Sequence, residues 1–206
     1  MSQTNLRSEH DWLTIPIPLS EPAVEMVRLH VDPSVFSSTA LVRFPPGWNR
    51  SAHCRYAVDE EIVMLSGALH ISGSVIPSGS YAFIPTGVLR FETSTPTQSL
   101  ALAWFSGPTG ATEDGVDLPM VMVDLANAEL GAVSPFGSPG RLLRTSPNGT
   151  CWLVDRIAVG TVSPVNTSAE TCDLATGTWA WACPGEGLAP ADGRCVVRFF
   201  PACEPQ

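Results

Sequence analysis

The sequence predicts an all-β protein, a sandwich or barrel of short strands that occurs twice along the chain. Three observations lead there. Nineteen prolines and 17 glycines among 206 residues interrupt the chain so often that an amphipathic helix of about fifteen residues finds no place. Between the breaks lie short runs rich in β-branched, aromatic and aliphatic residues, at the spacing of an all-β sandwich or barrel. The C-terminal half then repeats, in worn form, the order of features found in the first half.

Residues 39–44 (TALVRF), 61–65 (EIVML), 68–71 (ALHI), 81–84 (YAFI) and 100–105 (LALAWF) are the predicted strands of the first module, each separated by Pro, Gly or Ser turns. Residues 106–115 (SGPTGATEDG) have linker composition, which sets the modules at 1–112 and 113–206. Residues 122–130 are the one helix candidate, although no apolar face stands out in them.

Hydrophobic residues reach 44%, enough for a packed core, while charged residues stop at 15%, below the roughly 25% of an average soluble domain. That balance argues against disorder. All 11 basic residues are arginine, and 20 acidic residues leave a net charge of −9, so nucleic acid is repelled rather than bound. No apolar stretch approaches the roughly 18 residues of a membrane span. The opening MSQTNLRSEH carries no secretory pattern, and the expectation is a cytoplasmic protein without membrane contact. Cys54, Cys151, Cys172, Cys183, Cys195 and Cys203 form no CxxC pair and read as reduced thiols packed as small hydrophobes.

From Gly47 the chain reads GWNRSAHCRYAVDEEIVMLSG, so Gly47, His53, Arg55, Glu60 and Gly67 follow one another with five, one, four and six residues between them. A second run, GSYAFIPTGVLR, carries Gly79, Pro85, Gly87 and Arg90. The first run resembles the first motif of the cupin family and the second its second motif, over roughly residues 12–108. The resemblance implies a small antiparallel β-barrel of the jelly-roll type, with inward-facing residues around a ligand cavity. In the family the metal is held by two histidines and a glutamate of the first motif and a histidine of the second. His53 and Glu60 stand at two of these places, and Arg55 and Arg90 at the others. A guanidinium has no lone pair for a cation, so a divalent metal at His53 and Glu60 is disfavoured, one or two ligands short of a stable site. Two guanidinium groups beside one carboxylate nevertheless leave the same single positive charge as a divalent ion beside that carboxylate. On a strand, His53 and Arg55 would share the inward face with Cys54 outward. Glu61 is expected to be solvated, and His10, His30 and His70 to lie at the surface or rim.

The second half aligns with the first without the ligand residues. Residues 153–160 (LVDRIAVG) fall on 40–47 (ALVRFPPG), Asn166 then falls on His53, and Glu170 with Gly177 repeats Glu60 with Gly67. Residues 195–200 (CVVRFF) match the closing strand 100–105, and no histidine follows His70. The expected architecture is a bicupin: two antiparallel β-barrel modules in tandem, one with a pocket and one as scaffold. The WLTIP opening at Trp12 and the approach to Gly47 are similar to the group containing ChrR-type anti-sigma sensor cupins and dihydroxyacetophenone dioxygenase.

The leading functional expectation is a metal-independent enzyme of the isomerase, dehydratase, cyclase or lyase type, acting on a small anionic or enolisable substrate without a cofactor. Arg55 and Arg90 would hold the anion, His53 or Glu60 would move the proton, and Trp48, Tyr81 and Trp104 would wall the pocket, with Phe91 a further candidate. A non-catalytic sensor bicupin and a metal-dependent dioxygenase-like cupin are the competing readings. Pairing through barrel edges as a homodimer is also expected.

Overall fold

The computed structural model describes residues 1–201, with 18 strands and no helix among them; Cys203 lies outside the described residues. By contacts the chain divides into a continuous unit, Glu9–Asp124, and a discontinuous unit made of Met1–Ser8 and Leu125–Gln206. The strands are, in chain order, β1 (Ser2–Asn5), β2 (Leu13–Ile15), β3 (Val24–Val31), β4 (Ser38–Phe44), β5 (Trp48–Arg50) and β6 (Glu60–Ser66). Next come β7 (Ala68–Ile71), β8 (Ser74–Pro77), β9 (Ser80–Ile84), β10 (Thr93–Thr95), β11 (Ser99–Phe105) and β12 (Val121–Asp124). The remainder are β13 (Ala132–Val133), β14 (Pro139–Ser146), β15 (Gly149–Val154), β16 (Thr167–Asp173), β17 (Thr178–Ala182) and β18 (Cys195–Pro201).

In the continuous unit one antiparallel sheet runs β12-β9-β6-β11-β4-β3-β2 and a second runs β5-β10-β7-β8. All five predicted strand runs fall within β4, β6, β7, β9 and β11. The sheets do not close on one another as a continuous barrel. Their inner faces share one apolar cluster: Val42, Ile62, Met64, Ala101 and Ala103 from the larger sheet, with Trp48, Leu69, Ile71 and Ile76 from the smaller. The period-2 alternation of a strand explains which residues contribute: Glu60, Ile62 and Met64 of β6 turn inward together.

The helix candidate at 122–130 is instead β12 followed by a turn. Its residues lack a helical apolar stripe, and Met122 and Val123 pair with Ala82 and Tyr81 at the edge of the larger sheet. This pairing carries the continuous unit to Asp124, twelve residues past the compositional cut at 112.

The sheet of the discontinuous unit runs β1-β17-β16-β18-β15-β14-β13. Laid against the first, β17, β16, β18, β15, β14 and β13 take the places of β9, β6, β11, β4, β3 and β2. The outermost slot is filled from across the sequence in both, by β12 in one sheet and β1 in the other. Among its described residues the discontinuous unit has no counterpart of the four-stranded sheet. Isolated bridges, Ile157 to Ala191 and Val162 to Gly187, stand there instead, and the inner face packs on Val154, Leu188, Val197 and Phe199. Cys54, Cys151, Cys172, Cys183 and Cys195 are thiols rather than half-cystines, and Cys151, Cys172 and Cys195 are buried. Burial pushes the Cys172 thiol up to about 12.

Gly67, between β6 and β7, has φ +72°, and a Cβ there would lie 2.7 Å from the Gln98 carbonyl oxygen and closer still to Ser99 Oγ. That hydroxyl already bridges the Ala68 amide and carbonyl. Gly67→Ala is expected to cost about 1–3 kcal/mol from the backbone conformation alone, and more from displacing Ser99. Urea unfolding of the full chain measures it; an unchanged midpoint would contradict the packing described.

Candidate functional site

Between the two sheets of the continuous unit lies a cavity of about 70 Å³. Most of its wall is aliphatic or aromatic, including Val42, Phe44, Ile62, Leu69 and Ala103. Its polar residues are five: Arg50, Tyr56, Glu60, Arg90 and Thr93.

The local sequence explains how they arrive there. Trp48 is buried and packs edge-on against Phe44, with ring centroids 4.9 Å apart. That anchor sets the phase of β5, so Asn49 faces solvent and Arg50 turns in. Thr93 of β10 pairs directly with Arg50, and residues opposite one another across an antiparallel pair share a face. Further on, Cys54 and Arg90 exchange backbone hydrogen bonds of 3.0 and 2.8 Å. The inward phase here therefore belongs to Cys54 and Tyr56, and not to His53 and Arg55.

Arg90 is 2% exposed. Its Nη1 donates to Glu60 Oε2, and its guanidinium lies over the Tyr56 ring, 4.0 Å from the centroid. Arg50 Nη1 donates to Tyr56 Oη at 2.7 Å. Burial first, and then the Glu60 charge, holds the Tyr56 phenol above its usual range against the opposing effect of Arg50, so Tyr56 keeps its proton at neutral pH. Several buried donors at this end have no hydrogen-bond partner: Arg50 Nε, Arg90 Nε and Nη2, Thr93 Oγ1 and Trp48 Nε1. Leaving such groups unsatisfied costs about 1–3 kcal/mol each, more when charged.

The residues expected from sequence are brought together only in part. Glu60, Arg90 and Trp48 line the cavity. His53 is exposed, its ring 5.7 Å from Phe91, and it is not part of the cavity wall. Arg55 donates from Nη1 to the Gly87 carbonyl at 2.9 Å and packs beneath Gly115, where a Cβ would come within 3.0 Å of its Cζ. It ties the loop at Gly87 to the segment after β11 and takes no part in the cavity. Tyr81 and Trp104 are buried, but on the opposite face of the larger sheet, since their neighbours Ala82 and Ala103 are the residues that turn inward. Glu61 shares that face. Rather than being solvated it is 2% exposed and accepts a hydrogen bond from Tyr81 Oη at 2.7 Å.

Arg50, Tyr56 and Thr93 were missed because the motif directs attention to His53. The signal available was a strand-spaced arginine two residues after a tryptophan. In the discontinuous unit, Glu170 pairs with Arg198 and Trp181, on the face away from the cluster containing Ala169, so it does not reproduce the placement of Glu60. A depression of about 160 Å³ among Gln3, Thr171, Asp173 and Thr178 has no unsatisfied buried polar atom; Asp173 Oδ1 accepts from the amides of Ala175 and Thr176.

The metal that the cupin fold implies does not fit these residues. Glu60 Oε2 is engaged by Arg90, His53 is exposed and outside the cavity wall, and the other charged side chains of the cavity, Arg50 and Arg90, have no lone pair for a cation. No group of three or more His, Cys, Asp or Glu side chains suited to a metal ion occurs among the described residues.

The fold is similar to that of several solved proteins. A candidate dioxygenase from Nostoc punctiforme matches with a TM-score of 0.74 at 18% identity, over 100% of this chain and 87% of that one. The protein Ylba from E. coli matches with a TM-score of 0.61 at 10% identity, over 99% and 92%. A candidate glyoxylate-induced protein from Pseudomonas aeruginosa matches with a TM-score of 0.59 at 14% identity, over 92% and 84%. Such identities speak to fold alone, an all-β fold of antiparallel sheets of the cupin jelly-roll type. No curated protein matches the sequence significantly. Residues 3–109, which include every polar residue of the cavity, match the family model described as Domain of unknown function (DUF4437), and the chain belongs to that family.

Proposed function

We propose that the continuous unit is a metal-independent small-molecule site that binds an organic anion and acts on it by proton transfer, within a bicupin whose other unit is scaffold. The observation that carries this reading is the pair of buried guanidinium groups, with N–H bonds left over, at one end of an otherwise apolar cavity. Two cations face one carboxylate, so the end is short of one negative charge. A carboxylate, or an enolate oxygen that gains charge during reaction, supplies it.

The chemistry is of the isomerase or lyase type. Glu60 uses one oxygen to hold Arg90 and has Oε1 left to take a proton from carbon beside a carbonyl. The C–H electron pair becomes a carbon–carbon π bond as the carbonyl π pair moves to oxygen, where Arg50 and the Tyr56 O–H stabilise the enolate. Return of the proton to a second carbon conjugated with the enolate completes an isomerisation with no net oxidation. Tyr56 takes the place first assigned to His53, because it touches the cavity and remains protonated.

The test is proton exchange in D2O. Acetoacetate and 2-oxobutyrate are incubated with chelator-treated protein, and loss of the α-proton signals is followed by NMR. Exchange above the buffer rate is expected after metal removal, lost in Glu60→Gln and reduced in Tyr56→Phe. Exchange that appears only on adding a divalent metal, or that survives Glu60→Gln intact, would overturn the reading.

A further inference from the structure

A guanidinium group offers two flat faces and a limited set of N–H directions, and the surroundings of Arg90 can be assigned one by one. Nη1 is taken by Glu60. One face is covered by the Tyr56 ring. Nε and Nη2 remain without partners, although the residue is almost fully buried. These two nitrogens form one edge of the group and point their N–H bonds in parallel, the arrangement that matches the two oxygens of a carboxylate.

Arg50 Nε and Thr93 Oγ1 supply further unsatisfied donors from the directly paired residues of β5 and β10. A carboxylate has about four lone-pair positions, so two fork bonds and two flanking bonds are within its capacity. Charge narrows the choice of anion. Arg50 and Arg90 against Glu60 leave one positive charge, which a monoanion neutralises, whereas a doubly charged phosphate would leave a buried negative charge without compensation. The rest of the wall, with Leu69, Ile71, Phe44 and Val42, is apolar, and the volume of about 70 Å³ admits only a compact hydrocarbon body.

We infer that the cavity takes a compact monocarboxylic acid, carboxylate first, with both oxygens on the Nε and Nη2 edge of Arg90, flanked by Arg50 and Thr93, and with its hydrocarbon part against the apolar wall. This rests on the anion-binding reading above and names the anion's class and orientation.

The full-length protein is titrated by calorimetry with isobutyrate, with isobutyramide as the neutral isostere and with inorganic phosphate. Saturable isobutyrate binding is expected, with the amide weaker by about tenfold or more because it cannot satisfy the charged fork. Arg90→Lys keeps a cation beside Glu60 and removes the fork; isobutyrate affinity is expected to fall by about tenfold or more. Thr93→Val, nearly the same shape, is expected to lose affinity by a smaller factor, and it carries the test if Arg90→Lys does not fold. Equal binding of acid and amide, or unchanged affinity in both variants, would overturn the inference. Phosphate bound in preference to isobutyrate would overturn the carboxylate assignment and leave the anion site standing. If no anion of either kind binds, both readings fall together.

Discussion

Arg90→Ala is expected to destabilise the protein by about 3–5 kcal/mol, because it leaves a buried carboxylate without its counter-ion. The side chains of Arg90 and Glu60 are 3% and 11% exposed, so water replaces little of the lost interaction. The double variant Arg90→Met with Glu60→Met should recover most of that loss, since replacing a whole buried ion pair by apolar groups is often close to neutral. Urea unfolding of the wild type, the single variant and the double variant gives the comparison. A loss below about 1 kcal/mol in Arg90→Ala, the range of an exposed pair, would mean that the cavity solvates Glu60. The same variant should bind no isobutyrate, so stability and affinity fall together here, whereas Thr93→Val separates them.

Trp48→Ala is expected to cost about 3–5 kcal/mol, the usual range for removing a large aromatic side chain from a core. Trp48 is 2% exposed, packs on Phe44 and belongs to the cluster shared by both sheets. It also fixes which way Arg50 faces. Trp48→Ala should therefore weaken anion binding beyond the loss of its own contact with the ligand, while Trp48→Phe should retain most of both properties. Urea unfolding and isobutyrate calorimetry on the two variants decide this. Full stability in Trp48→Ala would contradict its place as the anchor of β5.

The turns were legible in the sequence for a physical reason. Gly67 and Gly87 occupy left-handed conformations close to neighbouring backbone, a need that glycine alone meets cheaply and that the motif spacing therefore preserves. The strands around them were legible from composition. The inward face of residues 51–59 was not, because only isolated bridges hold that stretch and no alternating pattern within it reports the phase. Counting in twos from Trp48 gives Arg50, Cys54 and Tyr56; counting from the motif histidine gives His53 and Arg55. Tyr81, Trp104 and Glu61 misled for another reason. The central strands of the larger sheet are buried on both faces, so inward and outward residues of β6, β9 and β11 look alike in hydropathy. Glu60 and Glu61 are consequently both buried, on opposite faces, and only the Gly67 spacing distinguishes them.

The pairing of β1 with β17, at opposite ends of the sequence, bears on how the chain folds as it is made. Ser2 pairs with Trp181 and Asn5 with Thr178, so β1 leaves the ribosome long before its neighbour exists and must wait while the continuous unit is synthesised. Contacts this distant in sequence form slowly, because the intervening loop must be closed before any pairing rewards it. The composition of β1 suits that delay: Ser2, Gln3, Thr4 and Asn5 present no apolar side chain to a chaperone or to another nascent chain. Docking of β1 is thus expected late in folding, and the cavity, built wholly within Glu9–Asp124, needs no part of it to assemble.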